Sequence, residues 1–215
     1  MENILVAGAN GTTGKQIINL LKESQYFNPI AMVRDETQFK SFENQNVDVV
    51  MADLEKDVSH VFKNNTIDKV IFAAGSGGKK VEEVDQNGAK RMIHASVESG
   101  VKKFVMLSSM GADKPKEADQ LVEYLKAKHN ADEYLKNSSL NYAIVRPGTL
   151  NNESATDKIE LEEKLNKRGE ISRADVAQTL IRSLNDDTAN KKTFEIISGE
   201  TLIGKALHKV SAIEA

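Results

Sequence analysis

The stretch Gly8-Ala9-Asn10-Gly11-Thr12-Thr13-Gly14 follows an apolar run at residues 4–7 and precedes a helical pattern at 12–23. In such a strand–loop–helix unit the first glycine allows a tight turn and the second lets a phosphate approach the backbone. The third lets helix and strand pack closely. The free N–H groups and the dipole of the helix N-terminus favour negative charge at the same place. The loop therefore predicts a dinucleotide site at residues 8–14.

Short apolar runs alternate with longer helical patterns along most of the chain. They predict strands at 4–7, 29–33, 47–51, 69–73, 103–107 and 142–145, and helices at 12–23, 36–42, 55–63, 83–99 and 116–136. Strands that are apolar almost throughout are typical of a parallel sheet buried on both faces. The alternation predicts an α/β Rossmann fold, a doubly wound parallel sheet with helices on both faces. It also disfavours the alternative in which the three glycines only form a turn.

The pattern changes after Pro147, where residues 148–170 are polar and show only a weak helical pattern at 159–165. Ser172 and Asp175 have the spacing of a variant capping box, which predicts a helix from there to about residue 185. A strand is predicted at 193–197 and a short helix at 202–210. We predict a single domain over residues 1–215, with 148–170 and 190–215 forming a small C-terminal lid on the substrate side.

Composition excludes several classes of function. The formal net charge is −3 and no basic block is present, so the chain has no electrostatic reason to bind nucleic acid or an anionic membrane. The absence of cysteine excludes disulfides and zinc–thiolate sites, and the four histidines lack metal-ligand spacing, so no metal is expected. No signal peptide or membrane-length apolar run is present. We expect a cytoplasmic protein with a small-molecule substrate.

The end of the second predicted strand bears on which dinucleotide is bound. NAD-specific sites usually have a carboxylate there for the ribose 2′-hydroxyl. This strand instead ends with Arg34, 20 residues beyond Gly14, where a guanidinium can bind a 2′-phosphate. Asp35 follows and is an alternative ligand for a 2′-hydroxyl, and Arg34 is also compatible with a simple surface role. NADP(H) is the predicted cofactor, and NAD(H) is the less favoured one.

Several motifs together resemble the atypical short-chain dehydrogenase/reductases, in particular the small NAD(P)H-binding group related to NmrA-like proteins and flavin/biliverdin reductases. They cover residues 4 to 177 in family order and comprise the glycine loop, Val33-Arg34-Asp35, Ala52-Asp53-Leu54, Phe72-Ala73-Ala74-Gly75, Asn87-Gly88-Ala89, Gly100-Val101-Lys102-Lys103-Phe104-Val105, Ser108-Ser109-Met110-Gly111-Ala112, Val145-Arg146-Pro147-Gly148 and Arg173-Ala174-Asp175-Val176-Ala177. Asn10 departs from the family's common Thr. The sequence of the polar segment after Gly148 does not indicate which substrate is bound.

The resemblance also implies the surroundings of the cofactor. Asp53 and Leu54 are expected beside the adenine, and Ala73, Ala74 and Gly75 beside the adenine ribose and pyrophosphate. Arg146, Pro147 and Gly148 are expected near the nicotinamide, and Ser108 is also assigned to the cofactor. These positions agree with the general rule that ligands of such sheets bind at the carboxyl ends of the strands.

Tyr124 and Lys128 form a Tyr-x-x-x-Lys pair on one face of a predicted helix. In dehydrogenases of this class the tyrosine exchanges a proton with the substrate oxygen, while the lysine stabilises the phenolate and binds the nicotinamide ribose. Ser109, preferred to Ser108 by resemblance, would hydrogen-bond the same oxygen. The alternative is an ordinary amphipathic helix in which the Tyr124 ring only packs.

The leading hypothesis is an NADP(H)-dependent oxidoreductase that transfers hydride to or from a small carbonyl, quinone or flavin-like substrate. The Tyr124–Lys128 pair favours this enzyme. A non-catalytic module that senses NAD(P)H and reports to a protein partner is the alternative, favoured by the short polar lid. A nucleotide-sugar epimerase is a third possibility, disfavoured because the C-terminal segment is small.

Overall fold

The computed structural model describes residues 1–212, and its central element is a nine-stranded sheet with the order β11-β8-β10-β6-β5-β4-β1-β2-β3, in which β11 is Thr201–Leu202 and β8 is Lys158–Glu162. The seven strands from β3 to β10 are parallel. They are β1 (Glu2–Ala7), β2 (Phe27–Val33), β3 (Asp48–Met51), β4 (Lys69–Phe72), β5 (Lys103–Leu107), β6 (Tyr142–Pro147) and β10 (Lys192–Ser198). The predicted Rossmann fold is confirmed.

Within residues 1–212, seven α-helices cover the sheet on both faces. Alternate residues of β1 point to opposite faces, with Ile4 and Val6 in one apolar cluster and Leu5 and Ala7 in the other. One cluster is completed by α1 (Thr12–Lys22), α2 (Glu36–Glu43), α6 (Arg173–Arg182) and α7 (Ile203–Ser211), and the other by α3 (Ser59–Asn64), α4 (Ala89–Glu98) and α5 (Val122–Lys136). No helix within residues 1–212 is long and apolar enough to cross a membrane.

Three helices begin later than predicted, each for a local reason. The turn before α3 is held by Asp57, which accepts a hydrogen bond from the Ser59 backbone N–H. Residues Val81–Gly88 are π-helical and lead into α4. Leu121 has a positive φ of 59°, which stops a regular helix from extending back to residue 116, so α5 begins at Val122.

The helical interpretation of residues 159–165 was wrong, because Lys158–Glu162 forms strand β8. Ile159 and Leu161 alternate inward with the period of a strand, and β8 pairs antiparallel with β10. Tertiary pairing decides the structure of this short segment, which local propensity leaves open.

Three strands from the segments expected as a lid, β8, β10 and β11, belong to the central sheet. β10 pairs parallel with β6, and β11 (Thr201–Leu202) pairs antiparallel with β8. Phe194, Ile196 and Ile197 are buried, which explains why this strand joins the sheet. β7 (Thr149–Asn151) and β9 (Glu170–Ser172) form a separate two-stranded parallel sheet beyond the end of β6.

Asp175 connects helix α6 to the loop between β7 and β8. The predicted cap is confirmed: the Ser172 hydroxyl accepts a hydrogen bond from the Asp175 N–H at 3.0 Å. The fully buried Asp175 carboxylate accepts hydrogen bonds from the backbone N–H groups of Thr156 and Asp157. The Arg173 guanidinium donates to Leu150 O and Asn152 Oδ1.

We predict that Asp175→Ala lowers the free energy of unfolding by roughly 2–4 kcal/mol, because the Thr156 and Asp157 N–H groups and the buried Ser172 hydroxyl lose their acceptor together. Asp187→Ala is the control, since Asp187 is exposed and should change stability by less than about 0.5 kcal/mol. Urea denaturation measures both variants. A loss for Asp175→Ala no larger than that of the control would contradict the role of this carboxylate.

Candidate functional site

The glycine loop lies at the carboxyl end of β1 and is held by very close backbone contacts. Gly8 has a φ of +88°, and a Cβ atom there would lie 2.6 Å from the backbone of Ala74. A Cβ atom on Gly14 would lie 2.1 Å from the Gly8 carbonyl oxygen. Gly11 differs, because it is exposed, has an ordinary φ of −69° and would place a Cβ atom 3.2 Å from the same oxygen. Gly8 and Gly14 therefore serve packing, whereas Gly11 keeps the outer surface of the loop free.

The N-terminus of α1 has no side-chain cap. Its N-cap residue is Gly11, whereas Asp35 caps α2 and Ser172 caps α6 through side-chain oxygens. Thr12 is exposed beside this helix end, and Thr13 is buried. Asn10 is half-buried in the turn before it. An uncapped N-terminus bordered by a glycine suits a phosphate group, so these residues fit the pyrophosphate of a dinucleotide.

Arg34 and Asp35, which follow β2, have different roles. The Asp35 carboxylate is the N-cap of α2 and accepts a hydrogen bond from the Gln38 N–H at 3.0 Å. Arg34 is exposed, and within residues 1–212 its guanidinium makes no hydrogen bond or ion pair. The structure therefore leaves the cation available to a ligand and engages the carboxylate in the fold.

The loops after β3 and β4 continue the same edge of the sheet. The Asp53 carboxylate accepts a hydrogen bond from the Glu55 N–H, and the Leu54 carbonyl accepts one from Arg91. The Ala73 N–H donates to Ala7 O at 2.9 Å, which holds the β4 loop against the end of β1. Of the predicted cofactor residues, Ala73, Ala74 and Gly75 therefore follow β4, the neighbour of β1, whereas Asp53 and Leu54 follow β3, which lies beyond β2. Their contacts with a ligand stay predictions.

Tyr124 and Lys128 lie one turn apart on α5. The Lys128 ammonium lies over the Tyr124 ring, 5.5 Å from its centroid, and donates a 3.3 Å hydrogen bond to the carbonyl of Leu107, the last residue of β5. Lys128 is buried and Tyr124 is half-buried. The Ser109 hydroxyl donates to Met110 O at 3.3 Å. The tyrosine and lysine are brought together as predicted, and the catalytic roles of all three residues stay predictions.

Ser108 belongs to a buried polar network. Its hydroxyl donates to Asp132 Oδ2 at 2.8 Å, and the Arg146 guanidinium donates to the same oxygen through Nε and Nη2 at 3.0 and 2.8 Å. Burial raises the pKa of Asp132, and the guanidinium opposes this effect. The side chains of Ser108 and Arg146 are therefore engaged with Asp132, and their contacts with a cofactor stay predictions.

Pro147 and Gly148 end β6 where the small sheet begins. Pro147 is buried, and a Cβ atom on Gly148 would lie 2.2 Å from the Gly169 carbonyl oxygen. The glycine is thus required for the approach of the β6–β7 and β8–β9 connections. Contact of either residue with the nicotinamide stays a prediction.

The glycine loop and the edges of the neighbouring strands match a known family. The model of the NAD(P)H-binding family matches residues 8–187, which include the loop, Arg34, Lys128 and Gly148. The chain belongs to the NAD(P)H-binding family.

Proteins that are similar to this chain cover almost its whole length. A Bacillus subtilis (strain 168) protein named "Uncharacterized sugar epimerase YhfK" is 36% identical over 96% of this chain and 99% of its own length. A solved structure from Bacillus halodurans, provisionally named an NAD-dependent epimerase/dehydratase, is 38% identical, has a TM-score of 0.92 and covers 97% of this chain and 100% of its own. Sanguinarine reductase of Eschscholzia californica is 25% identical over 98% and 94% of the two chains.

Two buried carboxylates of this NAD(P)H-binding domain were missed by the sequence analysis. Asp132 follows Lys128 by four residues, so helical spacing places it on the same face as Tyr124 and Lys128. This spacing could have identified Asp132 as a candidate site residue. Asp85 lies in the π-helical segment, and its carboxylate Oδ1 is 3.6 Å from Lys128 Nζ. No local pattern indicates this pairing, because it joins residues that are far apart in the chain.

We predict that Gly11→Val remains folded and loses dinucleotide binding by about tenfold or more, because branched methyl groups occupy the surface that the pyrophosphate needs. Calorimetric titration with NADPH and NADH, together with thermal unfolding, measures both properties. Gly14→Val is the matched control and should unfold, since its Cβ atom has no space beside the Gly8 carbonyl. Undiminished affinity in a folded Gly11→Val protein would show that the phosphates bind elsewhere.

Proposed function

We propose that this protein is an NADP(H)-dependent oxidoreductase that transfers hydride to or from a small carbonyl, quinone or flavin-like substrate. One observation carries the choice of cofactor: the exposed Arg34 guanidinium has no partner within residues 1–212, while the Asp35 carboxylate caps α2. The membership in the NAD(P)H-binding family and the similarity to a named reductase support the reaction class.

The preference for the phosphorylated cofactor follows from charge. A guanidinium binds a 2′-phosphate through two charge-assisted hydrogen bonds, and a ribose hydroxyl offers it much less. An NAD site would need a free carboxylate at the end of β2. Asp35 uses Oδ1 to cap α2 through the Gln38 N–H, so its carboxylate is held in the fold, while the Arg34 guanidinium has no such engagement within residues 1–212.

The α5 face supports the chemistry. When bound, the nicotinamide ring supplies or accepts the hydride. Tyr124 exchanges the proton at the substrate oxygen, and Ser109 hydrogen-bonds the same oxygen. Lys128 binds the nicotinamide ribose and adds positive charge near the Tyr124 ring, 5.5 Å from its centroid.

A second candidate is sugar epimerisation, which the printed names of YhfK and of the Bacillus halodurans structure favour. An epimerase returns its hydride to the same substrate, so it shows no net change in nicotinamide absorbance. Incubation with nucleotide sugars and separation of the products distinguishes this reaction from net reduction of aldehydes, quinones or flavins.

We predict that wild-type protein prefers NADP(H) to NAD(H) and that Arg34→Ala removes most of this preference. The contact with the 2′-phosphate should contribute about 1.5–3 kcal/mol, or roughly 10- to 150-fold in affinity. NADH binding should hardly change. Calorimetric titration with both cofactors measures the effect.

Lys40→Ala is the control for charge, because Lys40 lies on the adjacent helix α2 and pairs with Glu36 at the surface. It should leave the ratio of the two affinities unchanged. Equal affinity of the wild-type protein for NADPH and NADH would contradict the proposed preference.

We predict that Tyr124→Phe loses turnover and keeps its affinity for NADPH. A positioned acid typically supplies about 100- to 10,000-fold, so kcat and kcat/KM should fall together. Tyr134→Phe is the matched control, since Tyr134 lies on the same helix and is exposed. Steady-state kinetics with a panel of aldehydes, quinones and flavins measures both variants.

Two results would contradict this assignment in different ways. Activity that survives Tyr124→Phe within a few-fold would show that another group handles the proton. Wild-type protein that binds NADPH but turns over no member of the panel and no nucleotide sugar would favour the non-catalytic NAD(P)H-sensing module.

A further inference from the structure

Asp85 carries a buried carboxylate with one oxygen engaged and the other free. Oδ2 accepts two hydrogen bonds from Ser76, one from its N–H at 3.0 Å and one from its hydroxyl at 2.6 Å. Oδ1 has no hydrogen-bond partner within residues 1–212, although the side chain is completely buried. A buried acceptor without a partner is costly, so Oδ1 requires an explanation.

Lys128 is the cation that faces this oxygen, and it is not fully engaged either. Its Nζ lies 3.6 Å from Oδ1, beyond hydrogen-bond distance, and its side chain is 4% exposed. The 3.3 Å bond to Leu107 O uses one of its three donors. The Arg146–Asp132 pair, by comparison, closes to 2.8 Å. The Asp85–Lys128 pair therefore retains both an acceptor and donors.

The free oxygen lies directly beneath the loop that follows β4. A Cβ atom on Gly75 would lie 3.2 Å from Oδ1, and Gly75 is exposed in the loop that follows β4. Lys128 reaches the same region from the other side, at the carboxyl end of β5. β4 and β5 are adjacent strands, so the pair lies between two loops at the ligand-binding edge of the sheet.

A ribose hydroxyl is the chemical group that matches this pair. A carboxylate only accepts hydrogen bonds and an ammonium only donates them, whereas a hydroxyl does both. One hydroxyl can donate to Asp85 Oδ1 and accept from Lys128 Nζ at the same time. A phosphate would be repelled by the carboxylate, and a metal cation would be repelled by the ammonium.

We propose that Asp85 and Lys128 together bind the hydroxyl groups of the nicotinamide ribose, with Asp85 as a cofactor-binding residue. The inference rests on the proposed function, because it takes the dinucleotide as the ligand. Asp85 also balances the charge of Lys128 and holds Ser76, so it fixes the loop after β4 against α5. The pair recognises the half of the cofactor that carries the hydride, whereas Arg34 recognises the other half.

Asp85→Asn tests this inference with three probes measured by calorimetric titration. The compound 2′,5′-ADP ends before the second ribose, 2′-phospho-ADP-ribose contains it without nicotinamide, and NADPH contains both. We expect the variant to bind NADPH and 2′-phospho-ADP-ribose about tenfold or more weakly and to bind 2′,5′-ADP within threefold of the wild type. An equal loss for all three probes, a loss for NADPH alone or no loss at all would overturn the proposal.

Asp68→Asn is the matched control, because Asp68 also accepts a backbone N–H bond and pairs with a lysine, Lys102, but precedes β4 at the opposite edge of the sheet. It should change none of the three affinities. If Asp85→Asn does not fold, Lys128→Gln removes the other half of the pair and should weaken binding of the same two probes. Preserved binding of these probes by a folded Lys128→Gln protein would equally overturn the proposal.

Failure of the proposed function is seen separately in the wild-type protein. If the wild-type protein prefers the probes without the 2′-phosphate, namely ADP, ADP-ribose and NADH, the proposed choice of NADP(H) is wrong. The role of Asp85 is then tested by comparing the wild type with Asp85→Asn on those three probes. If the wild-type protein binds none of the six compounds, both proposals are overturned.

Discussion

The close approach of the glycine loop to its neighbours is the constraint on which the site depends. A Cβ atom on Gly14 would lie 2.1 Å from the Gly8 carbonyl oxygen. A Cβ atom on Gly8 would lie 2.6 Å from the backbone of Ala74, in the loop after β4. These contacts turn the chain sharply into α1 and leave the helix N-terminus uncapped beside Gly11. The backbone thus supplies an anion-binding surface by packing, without needing a charged side chain.

Two groups of buried polar residues complete the site. One has its hydrogen bonds formed within the protein, and the other has unused donors and an unused acceptor. Asp132 is closed by Arg146 and Ser108 at ordinary hydrogen-bond distances, which suits a group that joins β5, β6 and α5. Asp85 and Lys128 remain 3.6 Å apart with unused hydrogen-bonding capacity. Desolvation of an unpaired polar atom is costly. We therefore interpret the Asp132 network as structural and the Asp85–Lys128 pair as a site for a ligand.

At the opposite edge of the sheet, two buried lysines are fully engaged by partners within the fold. Lys69 and Lys103 lie side by side in register on β4 and β5, and both are buried. Lys69 pairs with Glu2 and Asp186, while Lys103 donates to Asn185 O and Asn190 Oδ1. Burial, with the charge of Lys69 adding to it, lowers the pKa of Lys103 to about 8. These lysines hold the loop between α6 and β10 against the amino end of the sheet, away from the cofactor loops.

The sequence by itself determined the elements whose signals are local: the parallel strands through their apolar runs, the glycine loop through its spacing and the α6 cap through Ser172 and Asp175. It also indicated Arg34 and the Tyr124–Lys128 pair, since position at a strand end and helical spacing are local properties. Only the tertiary structure decided that 158–162 is a strand, because its pairing with β10 overrides a weak helical pattern. The same holds for Asp35 as a cap rather than a free carboxylate and for the meeting of Asp85 with Lys128. Such contacts join residues distant in sequence, and their energies depend on burial that appears only when the sheet and helices pack.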